Sequence, residues 1–233
     1  MQLEQRFPKK RVLITGAASG LGKALALEFA KRGWKIAVTD LDAAEIKNTA
    51  DAVRAVGGEP LEMTLDVTRC DQFEAAAERI TDSWSGLDVL VNNAGVADAG
   101  RMEGGIPGEL NLENWRLLIN VNLWGVIYGC RTFIPLLKKG GKGHILNVSS
   151  GAGLLCLPEM ASYNATKAAV VGISATLKTE LVDDNIDVTV SCPTAFQSNI
   201  ANNERVRQCK SVAGKGIMEE IKKTSVTAES VAR

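Results

Sequence analysis

A tyrosine and a lysine, Tyr163 and Lys167, stand four residues apart in the stretch Ser162–Val170, whose composition is typical of a helix. On a helix, this spacing puts both side chains on one face, one turn apart. A free tyrosine has a pKa near ~10, which is too high for efficient proton exchange at neutral pH, and a nearby lysine cation favours the phenolate. The pair alone is a weak signal, because lysines are common on helices. It indicates a candidate proton-transfer site in which Lys167 lowers the pKa of Tyr163.

A glycine-rich stretch, Thr15–Gly22, follows the first apolar run and opens a helical pattern. A strand, a glycine turn and a helix in this order let backbone N–H groups and the helix N-terminus face a diphosphate, with glycines where a Cβ would block its approach. The spacing G-x-x-x-G-x-G differs from G-x-G-x-x-G, and it is not a P-loop because no Gly-Lys-Ser/Thr follows. An ordinary tight turn is the alternative. The residues of this turn that we expect to contact a cofactor are Gly16, Ser19, Gly20, Leu21 and Gly22.

Asp40 ends the second apolar run, 18 residues beyond Gly22. In dinucleotide-binding sheets, an acid about 20 residues beyond the glycine turn binds the ribose hydroxyls of adenosine. A carboxylate there repels the 2′-phosphate of NADP, and no basic residue lies between Gly16 and Gly22 or directly after Asp40 to hold that phosphate. The pattern therefore favours NAD, with a solvated strand end as the alternative. Asp42, farther into the turn, is interpreted as a helix cap.

Short apolar runs that are rich in β-branched residues alternate with amphipathic stretches such as Leu21–Arg32. This alternation predicts an α/β fold with a doubly wound parallel sheet, a Rossmann fold of three layers, α/β/α. We expect one domain over residues 1–233, in which 198–224 is a mobile substrate lid or a solvated surface segment. Thr227 is a candidate N-cap, and because the chain stops soon after it we expect a truncated C-terminal end. The predicted strands are Arg11–Thr15, Lys35–Asp40, Pro60–Leu65, Leu87–Val91, His144–Val148 and Ile186–Cys192.

The composition excludes several classes of protein. Hydrophobic residues make up 45% and charged residues 23%, so a disordered chain is excluded. Lys and Arg number 27, as do Asp and Glu, and this balance disfavours nucleic acid and membrane surfaces as partners. One histidine and five scattered cysteines provide no zinc-site spacing, so we expect no metal and interpret the cysteines as buried, reduced thiols. We predict a cytoplasmic protein, because the N-terminus lacks the apolar segment of a signal peptide and no stretch approaches the roughly 20 apolar residues of a membrane span.

Taken together, these motifs resemble the short-chain dehydrogenase/reductase family, from Val12 to about Ser198. Five elements occur in the family's order, each after the expected strand or helix. They are the turn Thr15-Gly-x-x-x-Gly-x-Gly22, the tetrapeptide Asn92-Asn93-Ala94-Gly95, Asn122 in Val-Asn-Leu-Trp-Gly, Ser150 thirteen residues before the tyrosine, and Tyr163-x-x-x-Lys167.

The resemblance implies a role for each of these residues. Ser150 would donate a hydrogen bond to the substrate oxygen, and Tyr163 would give or take the proton. Lys167 would bind the nicotinamide ribose and lower the tyrosine pKa, and Asn122 would hold a water that links Lys167 to solvent. The other implied cofactor contacts are Asp66 and Val67 against adenine, Asn93, Ala94 and Gly95 along the cofactor, and Pro193 and Ser198 after the last strand.

Three positions need a choice or depart from the family. Ser149 adjoins Ser150, and successive side chains on a strand point oppositely, so the thirteen-residue offset selects Ser150. The family pattern selects Asn122 over Asn120, which we interpret as structural. Thr194 stands where the family has glycine, which should stiffen the turn or change its backbone angles.

We therefore expect an NAD-dependent oxidoreductase that acts on a small, uncharged alcohol or ketone. Two alternatives stay open: a non-catalytic NAD-binding sensor or scaffold, and an enzyme for epimerisation or dehydration. Leu154, Leu155 and Leu157, in the apolar stretch before Tyr163, either line a substrate pocket or belong to the core. The family's long helices pair with copies of themselves, so the predicted helices Glu113–Lys138 and Ser162–Asp183 suggest a homodimer or homotetramer.

Overall fold

Six strands form one parallel sheet in the order β3-β2-β1-β4-β5-β6. The structure is a computed structural model that describes residues 3–102, 111–197, 200, 216, 219–220 and 223–233. The predicted fold class is confirmed, and the predicted strand ends lie within two residues of the observed ones. The strands are β1 (Arg11–Thr15), β2 (Lys35–Asp40), β3 (Glu59–Thr64), β4 (Val89–Asn92), β5 (Gly143–Val148) and β6 (Ile186–Ser191).

Helices cover both faces of the sheet. In β1, Leu13 packs into the core on one face, whereas Val12 and Ile14 pack into the core on the other. Strands that are buried on both faces become continuous apolar runs, which is why the sequence shows no polar alternation there. The helices are α1 (Leu3–Arg6), α2 (Gly20–Lys31), α3 (Ala43–Ala55), α4 (Cys70–Trp84), α5 (Leu112–Leu118), α6 (Gly125–Lys139), α7 (Ala152–Leu155), α8 (Ala161–Glu180) and α9 (Ala228–Ala232).

All six carboxyl ends meet at the same edge of the sheet, because the strands are parallel. β1 pairs with β2 on one side and with β4 on the other, so the strand order reverses between β1 and β4. In open α/β sheets, ligands bind in the crevice outside the carboxyl ends at this reversal. The glycine turn after β1 and the Asn93–Gly95 segment after β4 flank that crevice.

The predicted continuous helix Glu113–Lys138 is interrupted. A π-helical segment, Ile119–Trp124, lies between α5 and α6, and such segments are rare and often found at functional sites. The combined stretch Leu112–Lys139 is long and apolar enough, by length and composition alone, to cross a membrane, which corrects the expectation that no stretch comes close. Core helices pass the same test, and α6 packs against β4 and β5.

Two helix caps agree with their sequence signals. The Asp42 carboxylate accepts from the backbone N–H groups of Ala44 and Glu45 at the start of α3. Thr227 caps α9 in a reciprocal arrangement with Ser230, and α9 packs against α2. Most of the predicted lid, 198–224, lies outside the described residues.

The four cysteines in the described part of the chain are free. Only Cys130 is buried, and burial raises the pKa of its thiol to about 12. Cys156 is exposed, and Cys70 and Cys192 are half-buried, so the expectation of uniformly buried thiols is wrong. Cys70, Cys156 and Cys192 lie in loops or at helix ends near the surface, and the spacing of the cysteines did not reveal this.

Candidate active site

A cavity of about 810 Å³ opens at the carboxyl edge of the sheet, and loops from all six strands contribute to it. Its volume falls in the range of about 300–1,000 Å³ that is typical of ligand sites. Most of the residues predicted to bind or react lie on its wall. They are Gly16, Ser19, Gly20, Leu21, Asp40, Asp66, Val67, Asn93, Ala94, Gly95, Ser150, Tyr163, Lys167 and Pro193.

The glycine turn is shaped by two positive φ angles, +65° at Gly16 and +50° at Gly20. Gly22 lies behind the cavity wall, where an added Cβ would be 2.1 Å from the carbonyl oxygen of Gly16. Gly22 therefore allows α2 to start close beneath the turn and does not itself face the cavity. Ser19 is the N-cap of α2 but makes no capping hydrogen bond with its side chain. The turn and the helix N-terminus form a cradle that could hold a diphosphate.

The segment after β4 is tied to the same turn. The Asn93 side-chain amide donates to the carbonyl oxygens of Thr15 (2.8 Å) and Gly16 (3.1 Å). The Thr15 hydroxyl accepts from the backbone N–H groups of Asn93 and Ala94, at 3.0 Å each. Thr15 and Asn93 thus fix the two sides of the crevice relative to each other.

Asp40 and Asp66 line the same cavity from the ends of β2 and β3. The Asp40 carboxylate accepts from the backbone N–H groups of Ala18 (3.0 Å) and Leu41 (2.7 Å). These bonds orient Asp40 toward the glycine turn, where it could meet a ribose. The Asp66 carboxylate accepts from the Thr68 N–H and hydroxyl, so it shapes its own loop.

Tyr163 lies on α8 with 8% of its surface exposed. Burial raises its pKa, and a hydrogen bond with Ser150 lowers it by less. The Lys167 ammonium lies 5.8 Å from the centroid of the tyrosine ring. The net shift in the pKa of Tyr163 is upward, which is opposite to the lowering predicted from the sequence. The reason is that desolvation of the phenolate outweighs the stabilising contacts in this site.

Lys167 follows one turn later on α8 and is 3% exposed. Its ammonium donates to the carbonyl oxygen of Val148 at 3.0 Å, and burial lowers its pKa to about 8. Ser149 donates its hydroxyl to the backbone carbonyl of Lys167 at 2.8 Å. Ser149 is thereby committed to holding α8, whereas its neighbour Ser150 contacts Tyr163.

Asn122 is buried in the π-helical segment, whereas Asn120 is exposed. The Asn122 amide donates to the Val96 carbonyl (2.9 Å) and its oxygen accepts from the Val96 N–H (2.9 Å). The same amide donates to the Thr166 hydroxyl at 3.3 Å. A Cβ on Gly95 would come within 3.3 Å of both the Asn122 oxygen and the Lys167 ammonium. Glycine therefore keeps the space between these two groups open.

The turn after β6 accommodates the unusual threonine without strain. Thr194 is not among the described residues with positive φ, so the backbone here does not require the glycine that the family resemblance implies. The Pro193 carbonyl accepts from the Gly151 N–H at 2.9 Å, which ties this turn to the Ser150 loop. Ser198, the other residue predicted here, lies outside the described residues.

Sequence reasoning missed several residues that build the site. Thr15 and Thr166 act through hydrogen bonds to segments more than 40 residues away, for which the sequence offered no pairing signal. The missed lining residues are mainly apolar and include Val96, Ala97, Met160 and Phe196. Their types are those of ordinary core residues, so only the fold distinguishes them.

Comparisons with known proteins show the family of this chain. A family profile described as short chain dehydrogenase matches residues 10–208. "Probable oxidoreductase EphD" of Mycobacterium tuberculosis is 38% identical over 195 residues, which are 83% of this chain and 32% of that protein. This chain therefore spans about a third of the length of the EphD proteins that it matches.

Two further relatives match over most of their length. The 2,5-dichloro-2,5-cyclohexadiene-1,4-diol dehydrogenase LinX of Sphingobium indicum is 36% identical over 201 residues, which are 86% of this chain and 78% of that protein. The crystal structure of a short chain dehydrogenase/reductase from Burkholderia phymatum in complex with NAD superposes with a TM-score of 0.85 and 31% identity, covering 95% of this chain and 82% of that one. With a matching family profile over most of its length and relatives above 30% identity, this chain belongs to the short-chain dehydrogenase family of oxidoreductases.

Proposed function

We propose that this chain transfers a hydride between NAD(H) and the carbinol or carbonyl carbon of a small, uncharged alcohol or ketone, with Tyr163 as general acid or base. One observation carries the proposal: Ser150, Tyr163 and Lys167 line the same cavity as Asp40 and the glycine turn. A single cavity would hold the dinucleotide and the substrate side by side, as direct transfer between them requires.

The residues present fit a dinucleotide. The positive φ angles of Gly16 and Gly20 and the N-terminus of α2 form a cradle for a diphosphate. The Asp40 carboxylate suits ribose hydroxyls and repels a 2′-phosphate, which favours NAD over NADP. The relative from Burkholderia phymatum was solved with NAD, which supports the choice. The bound dinucleotide would supply or accept the hydride, since no side chain can do so.

The chain's own residues would handle the substrate oxygen and its proton. Ser150 would donate a hydrogen bond to the carbonyl oxygen, and Tyr163 would give that oxygen a proton in reduction or take one in oxidation. Burial raises the pKa of Tyr163, so its ionised form needs a nearby positive charge. The Lys167 ammonium, 5.8 Å from the ring centroid, supplies one. The name of LinX, a diol dehydrogenase, supports chemistry at a CH–OH group.

The test is a panel of alcohols and ketones assayed in parallel with NAD(H) and NADP(H). We expect turnover with NAD(H), and Tyr163→Phe should lower kcat by about 10²–10⁴-fold because it removes the proton-transferring hydroxyl. NADH binding, followed by fluorescence titration, should persist in the variant. A wild-type protein that binds NADH but turns over nothing in the panel would favour a sensor or scaffold. Preference for NADPH would refute the role given to Asp40.

We also propose that the chain forms a homodimer or homotetramer through its long helices. Trp124 is 43% exposed and stacks on Tyr128 at 5.4 Å between ring centroids, which leaves an aromatic surface on α6 and the segment before it. Light scattering at micromolar concentration should give a multiple of the 24.8 kDa chain mass. Trp124→Glu should shift the mass toward the monomer, and a monomeric wild type would contradict the proposal.

A further inference from the structure

The end of the cavity that holds Tyr163 is built mainly from apolar side chains. The tyrosine packs in a buried apolar cluster whose members lie on the loop after β4, at the end of α5, on α7 and at the start of α8. The cluster consists of Ala97, Ala99, Leu118, Ala152, Met160 and Tyr163, with Val96 and Ile200 packed against it. Any substrate whose oxygen reaches Tyr163 therefore brings its neighbouring carbons against an apolar wall.

Three leucines lie in the segment between Ser150 and Tyr163. Leu154, Leu155 and Leu157 are 59%, 72% and 36% exposed, although large apolar side chains are usually buried. Leu155 and Leu157 line the cavity, whereas Leu154 does not. The three leucines therefore do not belong to the core, and only two of them line the cavity. Leu155 and Leu157 offer apolar surface that a ligand can cover.

The loop that carries Leu157 is anchored through its backbone. The Asn164 amide donates to the Leu157 carbonyl at 2.6 Å, and the Gly100 N–H donates to the Glu159 carbonyl at 2.7 Å. Cys156 and Glu159 on either side of Leu157 have positive φ angles of +50° and +58°. These bonds fix the loop while leaving the leucine side chain at the cavity, which is the arrangement expected of a preformed apolar contact.

Among the described residues around Tyr163, few polar groups face the cavity. Ser150 and Tyr163 can bind one substrate oxygen, while Ser149 and Lys167 are already bonded to backbone carbonyls. A polyol or a hydroxy acid would leave its additional polar groups facing apolar surface, at a cost.

We propose that the substrate is an uncharged ketone or secondary alcohol whose carbinol carbon bears an apolar chain or ring, and that Leu155 and Leu157 bind this apolar part. The inference rests on the proposed function, because the substrate oxygen bound by Ser150 and Tyr163 sets the position of the substrate's apolar chain or ring. It narrows the substrate from any small neutral alcohol to one with an apolar body next to the reacting carbon.

The first experiment is a chain-length series. The ketones 2-butanone, 2-pentanone, 2-hexanone and 2-octanone are reduced with NADH, with dihydroxyacetone and 2-oxobutanoate as polar and anionic comparators. We expect kcat/KM to rise by about fourfold per methylene until the leucines are covered, the factor for burying one CH₂. A flat series, or a preference for dihydroxyacetone, would overturn the inference while leaving the proposed function intact. A preference for 2-oxobutanoate would overturn the inference and also the uncharged substrate of the proposed function.

The second experiment uses variants of the leucines. The double variant Leu155→Asn with Leu157→Asn should flatten the chain-length dependence, whereas Leu154→Asn, an exposed leucine outside the cavity lining, should retain it. Circular dichroism confirms that each variant is folded. An unchanged slope in the double variant would overturn the assignment of the apolar contact to these residues.

A binding measurement separates this inference from the proposed function. Calorimetric titration of the same ketones into the NADH-loaded Tyr163→Phe protein reports affinity without turnover. Affinity that rises with chain length supports the apolar site even if no ketone is reduced by the wild type, an outcome that would refute only the proposed function. Affinity that is independent of chain length refutes the apolar site.

Discussion

Two cations are buried at opposite ends of the sheet, and they are held in different ways. Arg11 begins β1 at the amino edge and is 4% exposed, while Lys167 lies on α8 at the carboxyl edge and is 3% exposed. The Arg11 guanidinium makes two hydrogen bonds to the Asp88 carboxylate, at 2.8 and 3.1 Å, and a third to the Trp84 carbonyl. The Lys167 ammonium donates to one neutral carbonyl, that of Val148, and forms no ion pair within the described part of the chain.

The difference indicates a structural role for Arg11 and a functional role for Lys167. A buried cation with a bidentate carboxylate joins the elements that carry the pair, here β1 and the start of β4. A buried cation without a carboxylate is destabilised, and its pKa falls, for Lys167 to about 8. Such a group responds to whatever charge enters its cavity, which is typical of functional sites. Equal burial therefore has opposite consequences at the two edges.

We expect the largest loss of stability from disrupting the Arg11–Asp88 ion pair at the amino edge of the sheet. Arg11→Met should lower the free energy of unfolding by about 3–5 kcal/mol, because it leaves the Asp88 carboxylate buried and unpaired. Urea denaturation measures the loss, and kcat of the molecules that remain folded should not change. Adding Asp88→Asn removes the stranded charge and should recover part of the stability. A loss below about 1 kcal/mol would mean that the pair behaves like an exposed ion pair.

At the carboxyl edge the stability change should have the opposite sign. Lys167→Met removes a cation whose pKa is lowered from 10.5 to about 8, a penalty of about 3 kcal/mol at pH 7. We expect the variant to be more stable than wild type at neutral pH and to lose turnover, as happens when a functional group is held at a cost in stability. A variant that is less stable than wild type at pH 7 would show that the ammonium contributes to folding.

The pH dependence provides a control for that prediction. Between pH 8 and 10.5 the folded wild type has released the Lys167 proton while the unfolded chain still holds it, so the stability of the wild type should rise with pH in this window. The advantage of Lys167→Met should therefore shrink from pH 7 to pH 9.5. Tyr163, whose pKa is raised above 10, acts in the opposite direction and only at higher pH. A constant difference between the two proteins would contradict the lowered pKa.

We expect the smallest effects from substituting two aspartates at the carboxyl edge, Asp40 and Asp42. Both carboxylates accept hydrogen bonds from backbone N–H groups. Asp42→Ala should lower stability by about 1 kcal/mol, the usual cost of losing an N-cap, with no change in the affinity for NADH. Asp40→Ala should weaken NADH binding and reduce discrimination against NADPH, on the order of tenfold, which is about 1.4 kcal/mol. Urea denaturation and fluorescence titration of both variants separate the two roles. If the two substitutions weakened NADH binding equally, the separate roles of Asp40 and Asp42 would be contradicted.

Local signals were sufficient for much of the fold and part of the site. The strand ends, the glycine turn, and the caps at Asp42 and Thr227 follow from residue types within a few positions of each other. Parallel pairing then brings Asp40 and Ser150 to one edge without further information, because every strand ends there. Tyr163 reaches that edge on α8. The family motifs added the order in which these residues occur.

Only the tertiary structure decided how those residues behave. Spacing predicted that Lys167 would lower the pKa of Tyr163, but the burial of both groups raises the pKa of the tyrosine and lowers that of the lysine. The same holds for the π-helical segment that buries Asn122 against Val96, and for the leucines that remain exposed beside the cavity. Desolvation, close packing and exposure depend on segments far apart in the chain, so spacing could name these residues but could not set their charge or their surroundings.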